Sequence, residues 1–456
     1  MIKRSILLTL AILSQSACSG KIDNSRLRAD IIEDEPRAFA IGALPLAEGS
    51  AYLRSATAQG LVAFDPQGRV VPALASRWIV TDDSLSYIFR LNKIRWNDGQ
   101  ELSANEVVQN LNTRIAELRG GRFGAEMGLI DRAVAMTGKV VEIRLKAPVP
   151  NLLELLAQPE FGIVRRGVGS GPMQARKLGV AMQLRLRGID DKGASILEDH
   201  RLLLRITKPS LALARFNAGE TDVIIGGRFQ NMAMLSAAKI GGGSPQYDPA
   251  PGLFGLLIVE AGPFLSDVEN RQALAMAIDR PKLLASFGVP SWQETVTLVP
   301  ETMKYRAPVP RPDWAQLRVE DRKTKARITI ARWTEAHGQV RPIKIALPRG
   351  PGARVFFAQV QSDFAAIGLK AERVTLDQQA DIRLIDRVAD MSSPAWYLAQ
   401  LSCTVSFVCD AGVDGLVADA RNATDRDERT RLLGEAETKL QTSGIISRSP
   451  IRCGGR

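Results

Sequence analysis

Residues 60–115 carry the strongest local constraint in this chain. A turn, Asp65-Pro66-Gln67-Gly68, precedes an apolar segment closed by Trp78, and Thr81-Asp82-Asp83 makes a second turn. Leu85, Tyr87, Phe89 and Leu91 then alternate, the period of a strand with one buried face. Trp96-Asn97-Asp98-Gly99 and a polar linker lead to Ser103, a candidate helix cap before Val107, Val108 and Leu111. A further alternating strand lies at 140–145 and an apolar helical run at 152–156, so residues 61–160 are expected to form one compact α+β unit.

The remainder reads as α/β. A helix at 210–218 stops at Gly219 and is followed by a buried strand at 221–225. A helix at 267–280 has acids in its first turn and Arg280 in its last. Strand 343–347, helix 352–367, strand 369–376 and strand 381–388 form a β-α-β-β series, and a last clear helix runs over 426–441. A length of 456 residues accommodates two or three cores. The glycine-rich stretch 167–172 (GVGSGP) lacks the Lys-Ser/Thr of a phosphate loop and reads as a backbone turn.

At the N-terminus, Lys3 and Arg4 precede the apolar run 6–13, then Ser14, Ser16, Ala17 and Cys18. That order is an export signal, and a cysteine after small residues makes Cys18 a candidate lipidation site. Gln15 departs from the usual lipobox leucine, so ordinary cleavage releasing a free protein is the alternative. In an exported chain Cys403 and Cys409 read as a small disulfide loop. The net charge of +11 is spread among interleaved acids, as in residues 421–431, without a basic stripe or a nucleic-acid-binding motif, and no nucleic acid partner is expected. His200 and His337 are the only histidines, and G-x-S-x-G, H-E-x-x-H and Walker A are missing, so neither an enzyme nor a metal or cofactor site is expected.

The opening block, the helix 267–280 with its Arg271-Gln272-Ala273 and Ala277-Ile278-Asp279, and the segment 387–394 (RVADMSSP) resemble, in chain order, the solute-binding proteins of peptide-type ABC importers, solute-binding family 5. The resemblance implies an α/β, two-lobed periplasmic binding protein fold (type II-like) with an additional small α+β domain. Its division would be a signal and lipobox at 1–18, a tether at 19–37, lobe I at 38–60 and 161–248 completed by 442–456, a peripheral domain at 61–160 away from the ligand, and lobe II at 249–441. It implies a monomer in the periplasm that captures a peptide or peptide-like solute by hinge closure, with ABC permease and ATPase subunits as partners. Peptide-binding members pair an aspartate after a buried strand with the ligand's amino group, and the matching residue is Asp390. Three residues earlier those members carry Trp, and here Arg387 stands, which would hold a ligand carboxylate or phosphate or pair with Asp386 or Asp390. Trp396 and Tyr397 are candidates for lining the cleft or for the core. A non-peptide solute (oligosaccharide, opine or anionic compound) and a degenerate envelope scaffold are the alternatives. Residues 447–456 (SRSPIRCGGR) lack an evident strand pattern.

Overall fold

A computed structural model describes residues 26–451, apart from 43, 97, 190–194, 240–244, 248–250, 261, 290, 291, 293, 301, 302, 304–310, 407, 408 and 443–446. Three sheets organise these residues. The first runs in the order Met173–Leu178, Ala181–Ile189, Ser195–Thr207, Arg26–Ile32, Val223–Gly226. Arg26–Ile32 is parallel to both of its neighbours and lies inside the sheet. Over residues 26–32 this corrects the expectation of a tether at 19–37. Two of the charges in the segment, Arg28 and Asp30, are matched across strands rather than solvated. Arg28 grips Asp222 with two guanidinium contacts, 3.0 and 2.7 Å. Asp30 is 0% exposed and faces Arg205 at 2.5 Å and Arg215 at 3.6 Å.

The second sheet is antiparallel throughout, in the order Ala75–Val80, Ser86–Leu91, Val140–Leu145, Ile130–Thr137. Helix Ala104–Leu118 packs on it through Val107, Leu111, Ile115 and Leu118. Ser103 caps this helix: its hydroxyl accepts from the Glu106 N–H, and the Glu106 carboxylate accepts from the Ser103 N–H.

The third sheet runs Ala371–Thr375, Ile343–Leu347, Ile382–Val388, Pro251–Ile258, Ser447–Ile451. Its last member corrects the placement of 442–456 in the first lobe, since Ser447–Ile451 pairs antiparallel with Pro251–Ile258. An edge strand is held by main-chain groups on one side only, so it needs no apolar alternation, and it tolerates Pro450. Helix Val268–Ala277 is capped by Asp267, whose carboxylate accepts from the Glu269 N–H at 2.7 Å. The helix ends at Ala277, so Arg280 is not in its last turn but opens the next helix, Arg280–Ala285. It is buried, donates to the carbonyls of Ala275 and Ile278, and lies over the Trp314 ring.

The core of the second sheet does not stop at residue 160. It continues into Leu253, Ile385, Met391, Tyr397, Leu432 and Leu440, so this unit and the last helices share one apolar interior. The third sheet has its own core, into which Phe229 wedges against Phe254, Phe287 and Phe356. In the stretch 167–172, Gly167 has a positive φ of 77°, whereas Gly169 and Gly171 are needed for space: a Cβ there would lie 2.1 Å from the Thr57 oxygen or 2.4 Å from its carbonyl carbon.

Removing one partner of a buried charge group leaves the others desolvated and uncompensated. Asp30→Ala is therefore expected to destabilise the protein by about 3–5 kcal/mol in urea unfolding, against about 0.5 kcal/mol or less for Asp82→Ala in its exposed turn. Equal, small effects would show that the buried pairing contributes little.

Candidate functional site

Strand Ile382–Val388 ends at a cleft of about 970 Å³. One wall is Asp386 to Ser392 with Trp396 and Gln400; Arg228 reaches in from the first lobe, and Phe64 to Gly68, Arg122, Glu154 and Gln158 come from the α+β unit. The peripheral unit therefore contributes directly to the cleft, which corrects the expectation that it lies away from it. Folding places it there because the segment around Leu152–Leu156 is tied to the loop 390–392. Gln158 Nε2 donates to the Asp390 carbonyl at 2.7 Å, Glu154 Oε2 accepts from the Ser392 N–H at 2.6 Å, and Asn151 Nδ2 donates to the Ser392 carbonyl at 3.4 Å.

The Asp390 side chain is 12% exposed. Oδ1 lies 3.2 Å from Arg122 Nη1, and Oδ2 accepts from the Trp396 indole N–H at 3.2 Å. Burial pushes its carboxyl above the ordinary range, while Arg122, the indole N–H and Arg387 favour the ionised form. Glu126, on helix Gly124–Leu129, is also raised, first by burial and further by the field of Asp390. Of these two acids, Asp390 lines the cleft and is short of solvation there. Such a group gains most from an incoming cation.

Arg387 is exposed, and its Nη1 donates to Gln400 Oε1 at 2.7 Å; the cation at ion-pair distance from Asp390 is Arg122. Trp396 lines the cleft, while Tyr397 is 1% exposed, packs edge-on to Trp396 at 5.0 Å and belongs to the core. Of the candidate ligand residues, Asp390, Arg387 and Trp396 are brought together and Tyr397 is placed behind them. Cys403 and Cys409 form a disulfide with Cα atoms 5.0 Å apart. Cys18 lies outside the described residues. Among the described residues no group of three or more His, Cys, Asp or Glu side chains is spaced to hold a metal ion, and no helix is long and apolar enough to cross a membrane.

Sequence reasoning missed Arg122 and Gln158. Arg122 follows Gly120-Gly121 at a helix end, and nothing local distinguishes it from a solvated turn residue. It is positioned by Glu160, 38 residues further on, at 2.7 Å, and by stacking on the adjacent Phe123 at 4.4 Å.

Two lobes with a polar cleft at the end of strand Ile382–Val388, and a third unit completing that cleft, have the architecture of a solute-binding protein. The family model described as bacterial extracellular solute-binding proteins, family 5 Middle, matches residues 69–402. The chain belongs to this family. It is 24% identical to di/tripeptide-binding protein 3 of Pseudomonas aeruginosa and 23% identical to the dipeptide-binding protein of Escherichia coli. Each alignment covers 84% of this chain and 81% of the relative. The fold matches that of the Escherichia coli murein tripeptide-binding protein with a TM-score of 0.72 at 18% identity, over 94% of this chain and 93% of that one.

The tie between Glu154 and the Ser392 amide is a charge-assisted hydrogen bond. In Glu154→Ala, hydrogen exchange at the Ser392 amide should speed up by about tenfold or more, with the helix Ala104–Leu118 unchanged. Unaltered exchange at Ser392 would show that the loop is held by other contacts.

Proposed function

We propose that the chain is the extracytoplasmic solute-binding component of an ABC importer and that it captures a short peptide with a free amino terminus. Asp390 carries this reading: its carboxylate sits at the cleft wall, raised by burial and fixed through its own backbone by Gln158. A ligand ammonium restores the stabilisation that burial removed and sets the peptide's register. Arg122 already presents one cation to Asp390, so the ammonium competes with it, and Arg122 keeps Glu160 when displaced. The relatives named as dipeptide- and di/tripeptide-binding proteins support the same ligand class.

In this reading Trp396 forms the wall beside the amino terminus and Arg387, exposed on the same strand end, meets a carboxylate of the ligand. Tyr397 acts by packing behind Trp396. Residues 26–60 with 161–248 form one lobe, 249–451 the other, and 61–160 the unit that completes the cleft from the side. A peptide contacting both lobes shifts the open–closed equilibrium toward closure, and the closed form docks on the permease, whose ATPase supplies the energy. The protein acts as a monomer in the periplasm, anchored through lipid on Cys18. Chemistry on the ligand forms no part of this role.

Calorimetric titration with Ala-Ala-Ala and its N-acetylated form tests the reading. The free-amino peptide should bind about 10–100-fold more tightly than the blocked one, and Asp390→Asn should remove that difference. Equal affinities in the native protein would sink amino-group recognition.

The pH dependence has a defined sign. The ammonium pairs with ionised Asp390, so affinity is full above the folded-state pKa and is lost as pH falls through it. Because that value lies above the ordinary 3.8, the decline should begin at higher pH than for a solvated aspartate, and it should be absent in Asp390→Asn. An acid limb that persists in the variant would assign the titration to another group.

A further inference from the structure

A second chamber of about 760 Å³ adjoins the first, sharing Arg228 and Asp386 as walls. Its floor comes from the end of strand Arg26–Ile32, and its far side from the turns after Ile343–Leu347 and Ala371–Thr375. Six carboxylates line it: Glu33, Asp34, Glu35, Glu48, Asp377 and Asp386. Only Arg37, Arg228 and Arg349 oppose them, so the chamber is formally three charges negative within a chain of formal net charge +11. Acids in a concave wall focus their field into it, whatever the sign of the remote surface.

The acids differ in what they already hold. Glu33 accepts from the Gly49 N–H at 2.7 Å and the Arg37 N–H at 3.1 Å, and Glu48 faces Arg228 at 3.4 Å. Asp34, Glu35 and Asp377 are exposed to the chamber side. An independent observation at the same wall concerns Gln230, which is 5% exposed. Its Nε2 donates to Asp34 Oδ2 at 3.1 Å, which fixes the orientation of the amide, and its Oε1 accepts no hydrogen bond among the described residues. Gln230 cannot turn away easily. The neighbouring Phe229 is wedged among three rings, and Gly350 and Gly352 press on the carbonyls of Gln230 and Phe229, where added Cβ atoms would lie 2.8 and 2.1 Å away. A buried acceptor without a donor beside a cluster of acids calls for an N–H group on whatever enters.

We infer that this chamber receives a cationic side chain of the bound peptide, a lysyl or arginyl group, so that the protein prefers basic peptides. The inference rests on the peptide reading above and adds a second determinant to the Asp390 wall. An extended ligand lying along strand Ile382–Val388 would present its amino end to Asp390 and a later side chain to Asp386, Asp34 and Gln230.

The test uses the whole protein, freed of co-purified ligand by unfolding and refolding, and tripeptides with lysine or norleucine at the second or third position of Ala-Ala-Ala. At one of the two positions lysine should bind on the order of tenfold more tightly than norleucine in dilute buffer, and the ratio should shrink in concentrated salt. In Asp34→Asn/Asp377→Asn, both exposed and safe for folding, the ratio should fall to about twofold or less. Norleucine peptides binding as well as lysine peptides at both positions, or a lysine preference that survives in the double variant, would overturn the chamber's role while leaving peptide binding intact. Failure of every tripeptide, Ala-Ala-Ala included, would overturn the peptide reading and this inference with it.

Discussion

The hydrogen bond from Gln158 to the Asp390 carbonyl, backed by Glu154 on the Ser392 amide, is the constraint from which the site follows. A carboxylate on an irregular loop has many orientations, and recognition needs one. Here the loop's main chain is gripped by another part of the protein, and its side chain is then aimed by Trp396 and Arg122. The grip works because the apolar core behind it is continuous, running from the Ala104–Leu118 helix through Met391 and Tyr397 to Leu440. The unit that is peripheral in chain order is thus part of the cleft wall.

Local order was legible where local chemistry decides it. The alternation of Leu85 to Leu91, the Ser103–Glu106 capping box and the Asp267 cap all state their structure within a few residues. So did the strand end carrying Arg387 and Asp390, through its likeness to a known family. What escaped depends on distant partners. Arg26–Ile32 has the composition of a tether until Asp222, Arg205 and Arg215 are brought to it. Ser447–Ile451 has no apolar period, and its place is given by main-chain pairing with Pro251–Ile258. Arg122 looks like any turn cation until Glu160 and Asp390 converge on it.

The high positive charge of the chain also acquires a structural meaning. Several arginines are internal fasteners rather than surface charges. Arg54 is fully buried and donates to the carbonyls of Ile41, Glu160 and Gly162, which ties the first lobe to the segment that re-enters it. Burial pushes the guanidinium pKa of Arg54 and of Arg280 down to about 10, which still leaves both charged at neutral pH. Five N–H donors on one planar group let each satisfy carbonyls that no helix or sheet reaches. An arginine-rich composition here reflects how loops are pinned, and the sign of the cleft is set independently by the acids that line it.

The position of strand Arg26–Ile32 bears on how the chain assembles. Among the described residues it is the first strand in chain order, yet its partners are Ser195–Thr207 and Val223–Gly226, with Arg28 and Asp222 standing 194 residues apart. The sheet cannot close until nearly half the polypeptide exists, and closing so long a loop is slow. For that interval the leading segment has no native partner and the first lobe stays unfolded. A leading segment that waits so long for its partners stays extended and pliable while the rest of the chain is being made.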